Sequence, residues 1–155
     1  MGALLKAYGG NLVSIEHDVE YADVKRREVM NAGLADVVDI RVLTIKENDH
    51  TPFGHPWYDM CGIEDLREID LVLVDGPPQS FGKEVRYPGI AVMRERLAPT
   101  GQIICDDTKR RGESNIKSAL LERFDDILIK DVPMSRGCFV VELKESVKYL
   151  GGCSR

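Results

Sequence analysis

Four acidic residues stand where short apolar runs stop. Glu16 follows Leu12-Val13-Ser14-Ile15, Asp75 follows Leu71-Val72-Leu73-Val74, and the pair Asp106-Asp107 follows Gln102-Ile103-Ile104-Cys105. Each run has the length and composition of a strand, so each acid falls at a strand's carboxyl end. In open α/β sheets that edge is where ligands bind. Glu16 in such a position can accept hydrogen bonds from both hydroxyls of a ribose, as the acidic residue of dinucleotide-binding folds does. Asp75 and Asp106-Asp107, on neighbouring strands, offer hard oxygen ligands suited to Mg²⁺ or Ca²⁺. They could equally position a substrate proton or a cationic group. One acid after a strand is often only the N-cap of the next helix, a reading that competes at Asp18 and Asp107. Acids at the ends of all three strands are harder to assign to capping.

The elements that carry these residues follow from pattern. The unbroken apolar run before Asp75 predicts a strand buried on both faces, an inner strand of a parallel sheet with helices on each side. Gly76-Pro77-Pro78 ends it abruptly, because Pro cannot donate to the ladder and Gly permits a sharp turn. Upstream, residues 11–16 read as a strand and Asp18 as the N-cap of a helix running to about Ala32, with Gly33 as its C-cap. Val38, Ile40 and Val42 alternate within a second strand at 37–45. Residues 47–66 hold Pro52, Gly54, Pro56, Gly62 and the single Trp57, the signature of a long loop. Pro88 suits the first turn of a helix ending near Leu97, followed by a turn at 98–101 and a buried strand at 102–105. Ile116, Ala119, Leu120 and Phe124 have the spacing of an amphipathic helix. Two closing strands, at 126–130 and 138–143, must be antiparallel, because residues 133–137 are too few for a helical crossover. The alternation predicts a doubly wound, mostly parallel α/β sheet in a single domain spanning 1–155.

Bulk composition fits that class. The 155 residues are 43% hydrophobic and 30% charged, the balance of an ordinary globular protein. With 26 acidic against 21 basic residues and a net charge of -5, the chain argues against a surface built to coat nucleic acid or an anionic membrane. Lys109-Arg110-Arg111 is a short local exception. Cys61, Cys105, Cys138 and Cys153 form no C-x-x-C pair, and Cys105 and Cys138 lie in apolar runs where Cys behaves as a small hydrophobe. A reduced, cytoplasmic protein is expected, with no signal peptide and no membrane span.

Several stretches together resemble the class I S-adenosylmethionine-dependent methyltransferases. They are Ile15-Glu16-His17-Asp18, Val72-Leu73-Val74-Asp75-Gly76-Pro77-Pro78, Arg86-Tyr87-Pro88, and Asp106-Asp107 with Arg110 and Glu113. The closing antiparallel strand pair is also a mark of that fold. The resemblance implies a Rossmann-like methyltransferase fold with S-adenosylmethionine as cofactor. Glu16 then holds the cofactor ribose, His17 faces the adenine or packs half-exposed, and Asp75 lies beside the methionine moiety and the methyl acceptor. Asp75 and Asp106 are the catalytic candidates. Asp75, Asp106 and Asp107 resemble the acids that bind a divalent metal such as Mg²⁺ in catechol-type O-methyltransferases. There the metal lowers a hydroxyl pKa and orients the oxygen, while methyl transfer itself needs mainly alignment and desolvation. A small-molecule hydroxyl is the expected acceptor, and homo-oligomerisation stays open. The chain departs from the family pattern at its start. Residues 1–10 read as the tail of a helix, and Gly9-Gly10 as its stop, where the family has a strand ending in a Gly-rich turn. Six strands are expected here against the family's seven, the missing one being the first, central strand.

Three other readings compete. Nucleic-acid amino-methyltransferases place Pro-Pro directly after the acid or Asn and then an aromatic, whereas here Gly76 intervenes and Gln79 follows. A catalytically inactive binding or scaffold module of the same fold is the non-enzyme alternative. A loop metal site from His50, His55, Asp59 and Cys61 matches no zinc spacing, so surface histidines explain it better. Phe53, Trp57 and Tyr58 form either a substrate wall or a small cluster pinning the loop. Arg86 either meets an anionic substrate group or pairs with Glu84 or a strand-end acid.

Overall fold

The computed structural model describes residues 1–47, 52–109 and 112–144. They form two compact units, one of residues 1–46 and 58–64, the other of residues 47–57 and 65 onward.

The first unit contains α1 (Gly2–Tyr8), β1 (Leu12–Glu16), α2 (Val19–Asn31), β2 (Val38–Val42) and the two-residue strand β3 (Ile45–Lys46). β1 and β2 pair in parallel, Leu12 opposite Val38 through Glu16 opposite Val42, so Glu16 is the last paired residue of its strand. Asp18 caps α2 as expected, its carboxylate accepting the Tyr21 N–H at 3.0 Å. The Arg26 guanidinium donates to the Ile40 carbonyl at 2.7 Å and ties α2 to β2. A 3₁₀ turn at Met60–Ile63 completes this unit, with the Arg41 guanidinium donating to the Gly62 carbonyl at 2.9 Å.

The second unit follows the two-residue strand β4 (Trp57–Tyr58) with β5 (Ile69–Val74), α3 (Tyr87–Arg94), β6 (Leu97–Asp106), α4 (Glu113–Arg123), β7 (Ile127–Val132) and β8 (Cys138–Leu143). Its sheet has the order β5-β6-β8-β7, parallel between β5 and β6 and antiparallel thereafter. The closing pair is antiparallel, as the short link requires. One face is the core: Val74, Ile103, Cys105, Phe139 and Val141 are buried, beneath α3 with Ile90 and Met93 and α4 with Ile116 and Leu120. On the opposite face a polar ladder runs across three strands. The Gln102 amide donates to Glu142 at 2.9 Å, and Lys130 donates to the other Glu142 oxygen at 2.6 Å.

That second face corrects the expectation for β5. Leu71 and Leu73 are 44% and 57% exposed, so the strand is buried on one face only. Among the described residues β6 is its sole sheet partner, which makes it an edge strand of this sheet and not an inner one. An apolar run alone cannot separate the two cases, because covering is decided by elements elsewhere in the chain. The predicted turn at 98–101 is also overturned. These residues belong to β6, where Ile69 pairs with Leu97 and the register then shifts before Leu71 meets Gln102. Pro99 and Gly101 accommodate that irregularity without breaking the strand. The second strand is shorter than predicted, stopping at Val42, and the expected loop at 47–66 carries β4 and the 3₁₀ turn.

Candidate functional site

In the first unit the site residue is Glu16. Its Oε1 accepts the N–H of His17 at 2.6 Å and of Asp18 at 2.9 Å, and lies 2.8 Å from His17 Nδ1. Backbone donors at the strand-to-helix turn thereby fix the carboxylate at the carboxyl end of the parallel β1–β2 pair. His17 sits half-exposed beside it, with its ring edge-on to Tyr58 at 6.5 Å. A carboxylate anchored through one oxygen and partly open to solvent suits a ribose diol, so these residues fit the nucleoside part of the implied cofactor.

In the second unit the strand ends converge on Arg86. The Arg86 side chain is only 2% exposed. Nη1 donates to the Asp106 carbonyl at 2.6 Å, and Nη2 donates to the Asp75 carbonyl at 2.7 Å and the Asp75 carboxylate at 3.2 Å. Val74 pairs with Cys105, so Asp75 and Asp106 are the next residues on adjacent parallel strands, and Arg86 staples them together. A planar fork of donors can do this where an ammonium cannot. The Asp75 side chain remains 65% exposed. It is thus an oriented carboxylate open to solvent, the form a proton acceptor or a binding group needs. Of the roles open to Arg86 in the sequence, the structure realises the one to a strand-end acid.

The acid pair after β6 is arranged differently. Asp106 turns its carboxylate onto the Asp107 N–H at 2.8 Å. Asp107 is buried and adopts φ 55, a left-handed backbone that Asp tolerates better than most residues. Its Oδ1 lies 3.9 Å from the Arg136 guanidinium. Asp75, Asp106 and Asp107 therefore face separate partners. Among the described residues no group of three His, Cys, Asp or Glu side chains is placed to hold a metal ion, whether at the strand ends or in the loop. His50, Arg110 and Cys153 lie outside the described residues.

A second polar cluster went unread in the sequence because its members are far apart in the chain. The buried Glu84 accepts from the Asn115 amide at 2.8 Å and contacts His55 Nε2 at 3.0 Å. Burial pushes its carboxyl pKa up, but the hydrogen bonds from His55 and Asn115 outweigh that and hold it below its ordinary value. His55 is thus a tethered residue, not a free surface histidine. Its ring stacks near Phe53, which meets the buried Tyr87 ring edge-on at 5.4 Å. Phe53 thereby takes part in a cluster that pins the loop. Glu84 and Tyr87 flank Arg86 in sequence, so one short segment anchors the loop and staples the strand ends.

No family model matches the sequence, and no curated protein does. Solved structures do. A methyltransferase from Geobacter sulfurreducens matches at TM-score 0.59 and 21% identity over 86% of this chain and 58% of its own. A methyltransferase of Podospora anserina, solved with S-adenosylhomocysteine bound, matches at 0.61 and 16% over 86% and 61%. Human methyltransferase 10 domain containing protein matches at 0.60 and 13% over 91% and 63%. The chain spans about three fifths of the length of these structures. At such identities the likeness is one of fold. With the strand-end acids in place and the antiparallel closing pair confirmed, the chain has the fold of the class I S-adenosylmethionine-dependent methyltransferases.

Proposed function

We propose that the chain is an S-adenosylmethionine-dependent methyltransferase that acts on a hydroxyl group of a small molecule in the cytoplasm. The observation that carries this reading is the solvent-open Asp75 carboxylate, oriented at a parallel strand end by the buried Arg86. In this reading Glu16 accepts hydrogen bonds from the ribose hydroxyls and His17 packs beside the base. Bound S-adenosylmethionine would supply an electrophilic methyl group. Asp75 orients the acceptor hydroxyl and takes its proton as the oxygen attacks, and Arg86 stabilises the carboxylate in position. Asp106 holds the turn into Asp107 and so shapes the rim of the same edge. The acids do not fit Mg²⁺, since each faces a different protein partner, and metal assistance has no part in this reading. The test is transfer of a labelled methyl group from S-adenosylmethionine to a panel of phenols and alcohols. Transfer is expected from the wild-type chain and absent from Asp75→Asn. Full activity in Asp75→Asn would remove Asp75 from the mechanism. A binding or scaffold module of the same fold without activity is the second reading. It predicts no transfer to any acceptor.

A further inference from the structure

Immediately beyond Asp106-Asp107 the chain runs along the β7–β8 turn and borders an open surface cavity of about 560 Å³. The Thr108 N–H donates to the Gly137 carbonyl at 3.3 Å and the Lys109 N–H to the Arg136 carbonyl at 3.0 Å. Gly137 permits this approach: it has φ 79, and a Cβ there would lie 2.7 Å from the Thr108 hydroxyl and 2.9 Å from the Lys109 nitrogen. The cavity has the size of a small-molecule site, and its lining is divided in character. One part is polar and mostly cationic, with Lys109, Lys117 and Thr108 beside Asp131. The other is apolar, formed by Val132, Pro133, Met134 and the buried Cys138. Burial, and then the Asp106 charge, push the Cys138 thiol pKa up, so that wall stays uncharged.

The cationic part is neutralised only in part among the described residues of the lining. Lys117 pairs with Asp131, the one acid in the lining, and lies 5.3 Å over the Phe139 ring. Lys109 donates to the Ser135 carbonyl at 3.1 Å, a neutral acceptor. Among the described residues no carboxylate pairs with it. Among the described residues the lining thus carries two ammonium side chains against the single carboxylate of Asp131, with a hydroxyl and an apolar wall beside them and the Asp106 charge reaching that wall at Cys138.

We propose that this cavity binds a small organic anion, a carboxylate or phosphate borne on an apolar body, and that this anion is the head group of the methyl acceptor. The assignment to the acceptor rests on the methyltransferase reading; the anion site itself does not. Lys109 forms the charge-assisted hydrogen bond to the anion, Thr108 adds a neutral one, and Val132, Pro133 and Met134 cover the body.

The test is amide chemical-shift titration of the full chain with benzoate and with phenyl phosphate, using benzyl alcohol as the neutral control. Saturable shifts at residues 108–109 and 131–138 are expected with one or both anions, and whichever binds identifies the head group. Lys109→Gln is expected to weaken that binding about tenfold or more, the loss of one charge-assisted hydrogen bond. Asp131→Asn, which frees the Lys117 charge on an exposed surface, is expected to tighten it. A merely structural role for these residues predicts no opposite pair of effects. No saturable shift with either anion, equal binding of benzyl alcohol, or no change in both variants would overturn the proposal. Calorimetry with S-adenosylhomocysteine on the same sample separates the two readings. Cofactor binding without anion binding sinks the cavity assignment alone. Anion binding without cofactor binding sinks the methyltransferase reading and leaves the anion site standing.

Discussion

Replacing Arg86 by Met should destabilise the chain far more than replacing the acid it holds. Arg86 is buried and donates to two backbone carbonyls, those of Asp75 and Asp106, at 2.7 and 2.6 Å. Each charge-assisted hydrogen bond to such an acceptor contributes about 1.5–3 kcal/mol, and removing the donor leaves the carbonyl without it. The two together give an expected loss of about 3–6 kcal/mol. The contact to the Asp75 carboxylate adds little, because that side chain is 65% exposed and solvent screens it. A loss of that size is a large fraction of a domain's stability and lowers the melting temperature by roughly 10 °C. Arg86→Lys should recover part of it, since one ammonium reaches one carbonyl better than two. Asp75→Asn should lose less than about 1 kcal/mol. Urea unfolding followed by fluorescence of the buried Trp57 measures all three, provided the slope with denaturant is unchanged. Arg86→Met within about 1 kcal/mol of wild type, or Asp75→Asn falling as far as Arg86→Met, would refute the staple.

Two further outcomes follow from the cluster around His55. The Glu84 carboxyl pKa is held below its ordinary value in the fold, so its stabilisation is present above the unfolded carboxyl pKa of about 4.3 and is lost as pH falls through the folded value. Glu84→Gln should therefore be less stable than wild type at neutral pH, and the gap should narrow in acid; urea midpoints across pH check this. Gly82 has φ 146, and a Cβ there would stand 2.4 Å from the His55 ring. Gly82→Ala should displace that ring from Glu84 and cost about 1–2 kcal/mol, seen as a lower melting point and altered His55 resonances.

The parts of the fold legible in the sequence are those that local pattern decides. The Asp18 cap, the β1 strand ending at Glu16, the apolar run ending at Val74 and the antiparallel β7–β8 pair all follow from spacing or link length. What pattern could not decide was covering and pairing. β5 looked inner because its residues are uniformly apolar, yet its Leu71 and Leu73 face away from α3 and α4. Pro99 and Gly101 looked like a turn, yet the β5 partner carries them as an irregular strand. At the site, the acids were legible from their positions after apolar runs. Their partners were not, because Glu84, His55 and Asn115 are brought together only by tertiary structure. Arg86 carried one local signal, a charge set against the apolar helix from Tyr87 to Met93, where burial demands compensation.

Binding of S-adenosylhomocysteine to the wild-type chain and to Glu16→Ala, measured by titration calorimetry, tests the methyltransferase reading most directly. A saturable heat with the wild type is expected, and about tenfold or more weaker binding in Glu16→Ala, from loss of the charge-assisted bonds to the ribose. No saturable heat from the wild type would contradict cofactor use by this chain, and an unchanged dissociation constant in Glu16→Ala would contradict the ribose role.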